Sequence, residues 1–338
     1  MRVFAWAVAS VAVVLVAVGS PVAARRAESL QVTGPAPAGA PTVLQLRPNF
    51  FMIAGAGGNV GVQIGDDGVV VVDSGSAANA DAVVAAIKAM SPRPIRYLIN
   101  TGPDVDHVGG NTTVSRAGET LFTGGGGPGI SPAFIGGAAS ILSHENVLAR
   151  VSAGSAAAPG IPAAGWPTET FHQPRKYMYL NGEGIEVLHQ PSAHSDGDAF
   201  VFFRRSDVVV AGDVLDTTQF PVIDVARGGG IEGEIAALNR LVDLAIPSVP
   251  IVSREEGTLV IPGHGRVCDQ LDVVEYRDMV TIIRDRVRDL IRNGASLDQV
   301  KAAAPARGYT RRYGSDTGPW TTTAFVEAVY RSLARAKP

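Results

Sequence analysis

Short runs of apolar, largely β-branched residues begin at position 43 and alternate with turn residues. The runs cover 43–46, 50–54, 59–64 and 69–72, and segments of this length and composition favour β-strands. The sequence Gly-Asp-Asp-Gly at 65–68 separates the last two runs and is typical of a hairpin turn. The first part of the folded chain is therefore predicted to be an antiparallel meander.

A change from strand to helix periodicity follows the meander. Residues 77–90 have apolar side chains at helical spacing, and Pro92 and Pro94 end the helix before a predicted strand at 95–100. The second half of the chain repeats this order, with strands followed by helices. Its predicted strands are 176–180, 183–189, 199–203, 208–211 and 259–261, and its predicted helices are 231–243 and 273–293. Two such halves predict an α/β protein in which two sheets pack face to face with helices outside.

Two segments rich in glycine and alanine interrupt the middle of the chain. Residues 123–129 and 153–165 lack apolar periodicity and are predicted to be loops, which makes them candidates for flaps over a site. Between them, 139–152 predicts a strand followed by a helix.

The first 24 residues have the pattern of a secretory signal peptide. Arg2 precedes an apolar run at 3–18, and small residues at 22–24 follow a Gly-Ser-Pro break. The run is shorter than the roughly 20 residues that span a bilayer as a helix, so an uncleaved anchor is less favoured. Residues 25–42, rich in Pro, Ala and Gly, predict a flexible linker, and 43–338 one folded domain with C-terminal helices from about 269. We expect the mature protein to be periplasmic or secreted, without stable insertion into a membrane.

Composition narrows the classes of function. Of the 338 residues, 46% are apolar and 18% are charged, which suits a globular core. The 29 basic and 32 acidic side chains are nearly balanced and form no basic stripe, so a small-molecule substrate is expected and nucleic acid is not. The single cysteine, Cys268, excludes an intrachain disulfide and a site of several thiolates. A metal would therefore have to bind to histidine and carboxylate side chains.

Three of the six histidines occupy loops next to predicted strands or helices. These are His107, His194 and His264, with Asp106 beside the first and Asp213 after another strand. Each histidine alone is most simply a hydrogen-bonded loop residue. However, a rigid sheet can hold such loop side chains toward a shared cleft, and this number of imidazoles and carboxylates suits a divalent metal. Together they predict a metal site.

Five short motifs occur in order between about Asn49 and His264. They are GVVVVDSG at 68–75, DHVGGN at 106–111, HSDGD at 194–198, GD at 212–213 and PGHG at 262–265. With these motifs the sequence resembles the metallo-β-lactamase superfamily of hydrolases. The resemblance implies an αββα four-layer sandwich with the metal cleft at one edge of the two sheets, followed here by a helical C-terminal extension.

The resemblance also implies two neighbouring metal sites, of which one is complete. Its ligands would be two carboxylates and two imidazoles: Asp106, His107, Asp213 and His264. In the family's first motif, His-x-His-x-Asp-His, Gly102 and Asp104 replace the first two histidines, so the other site would keep only Asp104, His194 and Asp213. One Zn²⁺ is therefore expected, although Fe or Mn would be acceptable, and the second site would be weak or would take a different divalent ion.

The resemblance implies a hydrolase but no particular substrate. We expect a metal-activated water to attack an ester, amide (including β-lactam), lactone or sulfate bond, with Asp106 orienting the water and His194 moving a proton. Asp213 stands where the largest group of zinc β-lactamases has Cys, which points to the broader set of hydrolases. The loss of two first-motif histidines leaves an alternative, a catalytically weak or inactive binding protein on the same fold.

Other polar residues are interpreted as structural. Asp73 ends a predicted strand and resembles the acid that supports the metal-binding loop in the family, the alternative being a turn residue. His144 is interpreted as a helix cap, His172 and His189 as structural residues, and Cys268 as a small buried thiol.

Overall fold

The computed structural model describes residues 41–121, 137–153, 160–248 and 257–335. Its first sheet has seven strands, which lie side by side in the order of the chain. They are β1 (Thr42–Arg47), β2 (Phe50–Ala56), β3 (Gly58–Gly65), β4 (Gly68–Val72), β5 (Ile95–Ile99), β6 (Ser140–His144) and β7 (Glu169–Phe171). Strands β1 to β4 form the predicted antiparallel meander, and β4 to β7 pair in parallel.

The second sheet has five strands in the order β12-β11-β10-β9-β8. They are β8 (Arg175–Leu180), β9 (Glu183–His189), β10 (Ala199–Phe203), β11 (Val208–Asp216) and β12 (Leu259–His264). Strands β8 to β11 are antiparallel, whereas β11 and β12 are parallel. A parallel pair of this kind needs a crossover connection, and the helix at 231–244 supplies it.

Helices lie on the outer faces of the two sheets. They are α1 (Ala80–Met90), α2 (Val105–Val108), α3 (Asn111–Arg116), α4 (Glu145–Ala153), α5 (Ile231–Leu244), α6 (Gln270–Arg292), α7 (Leu297–Ala302), α8 (Thr310–Tyr313) and α9 (Thr322–Arg335). Short 3-10 turns occupy Ala77–Asn79, Ala163–Gly165 and Val225–Arg227. The longest helix, α6, begins with a reciprocal capping box between Asp269 and Asp272, which satisfies two backbone donors at its start.

Strand β4 shows why the sheets lie between helices. Its four consecutive valines are all buried, which is typical of a strand covered on both faces. Val70 and Val72 point into the layer between the sheets, and Val69 and Val71 pack against α1 on the other side. In the inter-sheet layer, the rings of Phe50 and Phe203 meet edge to face with centroids 4.7 Å apart.

The outer face of the second sheet is covered by α5, α6 and the C-terminal helices. The predicted apolar face of α6 is buried there through Tyr276, Val280, Ile283 and Val287. Phe325 of α9 stacks on Phe220 with ring centroids 4.7 Å apart, so the C-terminal extension is part of the same packed layer. The predicted αββα sandwich with a helical C-terminal part is confirmed.

One edge of the sandwich collects the loops that carry the candidate metal ligands. The carboxyl ends of the parallel pairs β4–β5 and β11–β12 lead into these loops. Asn59 joins the two sheets at this edge, because its side-chain amide donates to the carbonyls of Pro262 (2.9 Å) and Gly265 (3.1 Å). The β3 strand and the His264 loop are thus fixed to each other.

Element bounds differ from the predictions where residues are polar or elements are short. Strand β11 continues from the predicted end at 211 to Asp216, so Asp213 lies within the strand. Strand β7 has three residues and helix α7 has six, too few to display a clear periodicity, and they were not predicted.

Several predictions fall outside the described residues. The signal peptide, nearly all of the linker and the predicted loop at 123–129 lie there, as do residues 154–159 of the loop at 153–165. Within the described ranges, no helix is both long and apolar enough to cross a membrane.

The inter-sheet layer generates a stability prediction. Phe203→Ala should lower the free energy of unfolding by about 3–5 kcal/mol, because it removes a fully buried ring from between the sheets. Chemical denaturation monitored by circular dichroism measures this change. Tyr179→Ala is the matched control, because its side chain is 75% exposed and its loss should change stability by less than about 0.5 kcal/mol. Equal effects of the two substitutions would contradict the assignment of Phe203 to the core.

Candidate metal centre

All six residues predicted as ligands or catalytic groups lie at one edge of the sandwich. Asp104 precedes α2, and Asp106 and His107 lie within it. His194 lies in the loop between β9 and β10, and Asp213 and His264 lie on β11 and at the end of β12. Elements separated by more than 100 residues of chain therefore bring these side chains together.

Four side chains form a first group, which we call the four-residue cluster. Its members are Asp106, His107, Asp213 and His264, and one ligand atom from each lies within 4.8 Å of all the others. His107 Nε2 lies 3.0 Å from Asp213 Oδ1. His264 Nε2 lies 3.1 Å from Asp106 Oδ2 and 3.5 Å from Asp213 Oδ1. Two imidazoles and two carboxylates thus face one point.

A second group, the three-residue cluster, shares Asp213 with the first. It consists of Asp104, His194 and Asp213, again with ligand atoms within 4.8 Å of one another. His194 Nε2 lies 2.9 Å from Asp104 Oδ2. Gly102 lies in the preceding loop, and a Cβ added there would meet only Asp198 Oδ1, at 3.6 Å. There is room for a side chain at Gly102, but the sequence provides none.

Asp73 orients His107 from behind. Its Oδ1 and Oδ2 accept hydrogen bonds from the backbone N–H and hydroxyl of Thr101, at 2.8 and 2.6 Å. Oδ2 also lies 2.8 Å from His107 Nδ1. Because an ionised carboxylate only accepts, Nδ1 carries the proton in this pair, and Nε2 points toward Asp213. Asp73 holds this position with a φ of +63°, an uncommon value for a residue with a Cβ.

Two glycines allow the site to be this compact. A Cβ on Gly58 would lie 2.5 Å from the His107 ring, so only glycine lets β3 pass so close. Gly212 has a φ of +56°, and a Cβ there would lie 2.5 Å from the Thr101 hydroxyl. The close approach places Thr101, and through it Asp73, against the strand that carries Asp213.

The clusters are strongly coupled electrostatically. Burial alone would lower the pKa of His107, but Asp213 and Asp73 raise it well above its usual value. Burial alone would raise the pKa of Asp213, but the charge and hydrogen bond of His107 lower it. The pKa of His264 is raised, first by its hydrogen bond with Asp106. The neighbouring carboxylates therefore favour the protonated form of both imidazoles, unless another cation takes the place of the proton.

His194 is held at both ring nitrogens. Nδ1 lies 2.7 Å from the carbonyl oxygen of Val222, which only accepts, so Nδ1 carries a proton and Nε2 points toward Asp104. Burial alone would lower the pKa of His194, but the hydrogen bond and charge of Asp104 raise it well above its usual value. Behind His194, burial raises the pKa of Asp198 to about 6, while its oxygens accept from the N–H and hydroxyl of Ser195 at 2.7 Å each.

A small cavity opens onto both clusters. Its volume is about 150 Å³. It is lined by Asp104, Asp106, His194, Asp213, Asp216, Gln219, Val222 and His264. A larger cavity of about 400 Å³ lies among the C-terminal helices, but neither cluster contributes to its lining. The ligand-rich cavity is the better candidate site, because chemistry rather than volume identifies it.

The remaining histidines and the cysteine lie outside both clusters. The rings of His144 and His189 stack with centroids 3.6 Å apart, and burial followed by the charge of His189 lowers the pKa of His144 to about 4. His172 is exposed. Cys268 is buried as expected, and burial raises the pKa of its thiol to about 12, so it is an unreactive core residue.

Sequence reasoning missed two charged residues near the clusters, Asp216 in the cavity lining and Arg227. Arg227 Nη2 donates to Asp104 Oδ1 at 2.6 Å, although Arg227 and Asp104 are 123 positions apart. Arg227 belongs to no motif, and it stands before three glycines in a segment without clear apolar periodicity. Only the folded structure brings it to the three-residue cluster.

Comparisons with known proteins agree with this geometry. A family model described as the metallo-beta-lactamase superfamily matches residues 54–121. This segment carries the His107 loop, whereas His194, Asp213 and His264 lie beyond it. A search of curated proteins found no match.

Solved structures with the same fold include enzymes of two kinds. The stereoselective inverting sec-alkylsulfatase Pisa1 from Pseudomonas sp. has a TM-score of 0.58 at 14% identity, over 88% of this chain and 52% of that chain. This chain thus spans about half the length of the sulfatase. A metallo-beta-lactamase from Pontibacter korlensis has a TM-score of 0.50 at 16% identity, over 75% of this chain and 99% of that chain. DIM-1 metallo-beta-lactamase has a TM-score of 0.51 at 15% identity, over 72% of this chain and 97% of that chain.

At these identities the structural likeness shows the fold alone. The family match is independent of the structural likeness and concerns sequence, because residues 54–121 include the His107 loop. The five ordered motifs and the two-sheet architecture point the same way. The chain thus has the fold of the metallo-β-lactamase superfamily, and its residues 54–121 match the model of that family.

Proposed function

We propose that this protein is an exported hydrolase that binds one divalent metal ion in the four-residue cluster. Its substrate is a small molecule with an ester, amide (including β-lactam), lactone or sulfate bond. The three-residue cluster is an incomplete second site. The observation that carries the proposal is the convergence of four ligand atoms within 4.8 Å, from three separate parts of the chain, beside a cavity.

The donor set of the four-residue cluster fits a divalent metal. Both imidazoles present Nε2 to the cluster, and the Nδ1 of His107 is already occupied by Asp73. This carboxylate–histidine arrangement is the usual support of a metal-binding imidazole. Two nitrogen and two oxygen donors suit Zn²⁺ and are also acceptable to iron or manganese.

A divalent metal in this cluster would supply Lewis acidity, lowering the pKa of a bound water to about 7 and polarising the bond to be cleaved. Asp106 is 37% exposed, so its carboxylate can reach the cavity and orient a nucleophilic water. His194 lines the same cavity with Nε2 on Asp104. From there it can give a proton to the leaving group.

The proposed substrate range rests on the cavity, the charge and the fold relatives. A cavity of about 150 Å³ suits the reacting part of a small molecule. The near balance of 29 basic and 32 acidic residues does not favour a nucleic-acid substrate. Sulfate and β-lactam bonds enter the range because the sulfatase Pisa1 and two metallo-beta-lactamases share the fold. Export, to the periplasm or the medium, rests on the signal-like residues 1–24.

The proposal is tested by metal content and hydrolysis together. We expect about one zinc, iron or manganese ion per chain after dialysis, measured by elemental analysis. His264→Ala should weaken metal binding by at least roughly tenfold and abolish hydrolysis of the substrate found in a panel of chromogenic esters, lactones, β-lactams and sulfate esters. His172→Ala is the matched control, because His172 is exposed and lies outside both clusters.

Retention of no metal by the wild-type protein would overturn the proposal. The alternative would then be preferred, a binding protein on the hydrolase fold. Metal retention by the His264→Ala variant at unchanged affinity would also contradict the assignment of the cluster.

A second prediction concerns the support of His107 by Asp73. Asp73→Asn keeps the shape of the side chain. If the amide oxygen keeps its hydrogen bond with the Thr101 N–H, the amide N–H faces His107 Nδ1. His107 then loses the acceptor that orients it. Metal affinity should fall roughly 10–100-fold, as measured by competition with a chromophoric chelator. Asp66→Asn, at a fully exposed turn residue, should leave the affinity unchanged. An unaltered affinity in Asp73→Asn would refute this role.

The third prediction follows from the raised pKa of His107. In chelator-treated protein, Asp213 and Asp73 favour a proton on His107, and a metal can bind to its Nε2 only when that proton leaves. Metal binding should release at least about one proton at pH 7, and the apparent affinity should rise with pH until the folded-state pKa of His107 is passed. Calorimetry in two buffers of different ionisation enthalpy measures the release. A pH-independent affinity would rule out this competition.

A further inference from the structure

Arg227 contacts the three-residue cluster directly. Its Nη2 donates to Asp104 Oδ1 at 2.6 Å, and its Nε donates to Asp224 Oδ2 at 2.6 Å. The other oxygen of Asp104 is engaged by His194 Nε2 at 2.9 Å. Asp213 is shared with the four-residue cluster, so Asp104 is the one carboxylate specific to this cluster. Both of its oxygens already have partners.

The loop that carries Arg227 is built around His194. The backbone N–H of Asp224 donates to the His194 carbonyl at 2.9 Å, and the carbonyl of Val222 faces His194 Nδ1 at 2.7 Å. Gly229 packs so closely that a Cβ there would lie 2.1 Å from the His194 carbonyl oxygen. Asp224 also caps the 3-10 turn by accepting from the Arg227 N–H at 2.9 Å. The guanidinium is thus positioned by the same loop that orients His194.

The two clusters differ in their neighbouring charge. The four-residue cluster pairs its carboxylates with imidazoles, which can lose a proton to make room for a metal. Arginine does not lose its proton in proteins. A divalent ion between Asp104, His194 and Asp213 would lie beside a permanent positive charge, partly shielded from water since the Arg227 side chain is 27% exposed. Like charges at such short range repel strongly.

We infer that Arg227 takes the place of a metal ion at the three-residue cluster. Its guanidinium neutralises Asp104 and keeps a second divalent cation out. The absence of a side-chain ligand at Gly102 and the carboxylate at Asp104 are thereby matched by a built-in cation, and the protein binds one metal rather than two. This inference rests on the proposed function, because it presupposes a metal in the four-residue cluster.

The test compares metal stoichiometry and affinity in wild type and Arg227→Gln. Equilibrium dialysis against Zn²⁺, followed by elemental analysis, gives the stoichiometry, and the visible spectrum of the Co²⁺-substituted protein reports each site separately. Wild type should bind one ion. Arg227→Gln should bind a second ion with at least roughly tenfold higher affinity than wild type does, because the repulsion is removed.

Two further variants separate charge from folding effects. Arg227→Lys keeps the positive charge and should still bind one ion. Arg284→Gln is the matched control, because Arg284 also pairs with two carboxylates, Glu232 and Asp285, on α5 and α6, and it should bind one ion as well. If thermal denaturation shows that Arg227→Gln is unfolded, Arg227→Met, which keeps the aliphatic stem, replaces it.

The outcomes distinguish the two proposals. Wild type with one ion and Arg227→Gln with two supports the inference. If wild type and Arg227→Gln each bind one ion, and their affinities for a second ion are equal, the role of Arg227 is overturned but the proposed hydrolase is not. Two ions in wild type, or two in Arg227→Lys, also overturn it. Wild type without any metal overturns the proposed function itself.

Discussion

The shared carboxylate of Asp213 is the group on which both clusters depend. Its Oδ1 lies 3.0 Å from His107 Nε2 and 3.5 Å from His264 Nε2, and it also belongs to the cluster of Asp104 and His194. At 17% exposure it has lost much of its hydration, so its negative charge needs protonated partners or a bound cation. The fold meets this need because β11, which carries Asp213, pairs with the strand that ends at His264.

The two clusters balance the charge of their carboxylates in different ways. In the four-residue cluster the positive charge is on imidazoles, whose protons are exchangeable, so a metal can replace them. In the three-residue cluster, part of the positive charge is on the Arg227 guanidinium. This group cannot be displaced without breaking its hydrogen-bonded ion pairs with Asp104 and Asp224. The difference between the clusters thus has two sources. One is the residue set, since Gly102 offers no side-chain ligand and Asp104 offers a carboxylate. The other is the permanent cation of Arg227, which only the structure shows.

The sequence predicts elements best where burial imposes a simple pattern. The continuous valines of β4 and the one-sided apolar face of α6 are such cases. Candidate ligands are also predictable. His107 lies in the loop after β5, and His264 lies at the end of β12. Strand ends at the same edge of a sandwich lie close together. Arg227 is not predictable in this way, because its partner Asp104 is 123 residues away and the turn that places it is fixed by contacts with the His194 loop. Likewise, the extension of β11 beyond 211 is hidden by the polar residues that face the cavity.

Asp73 links the stability of the sheet to the geometry of the site. Its backbone N–H donates to the carbonyl of Ile99 at 2.8 Å, which continues the β4–β5 ladder by one residue, while its side chain holds both Thr101 and His107. Asp73 makes these contacts with a left-handed φ of +63°, and a strained conformation of this kind persists only where its surroundings determine it. Here the surroundings are the valine-filled layers on both faces of β4. The precision with which the His107 imidazole is placed is therefore set by core packing as well as by the loop that carries it.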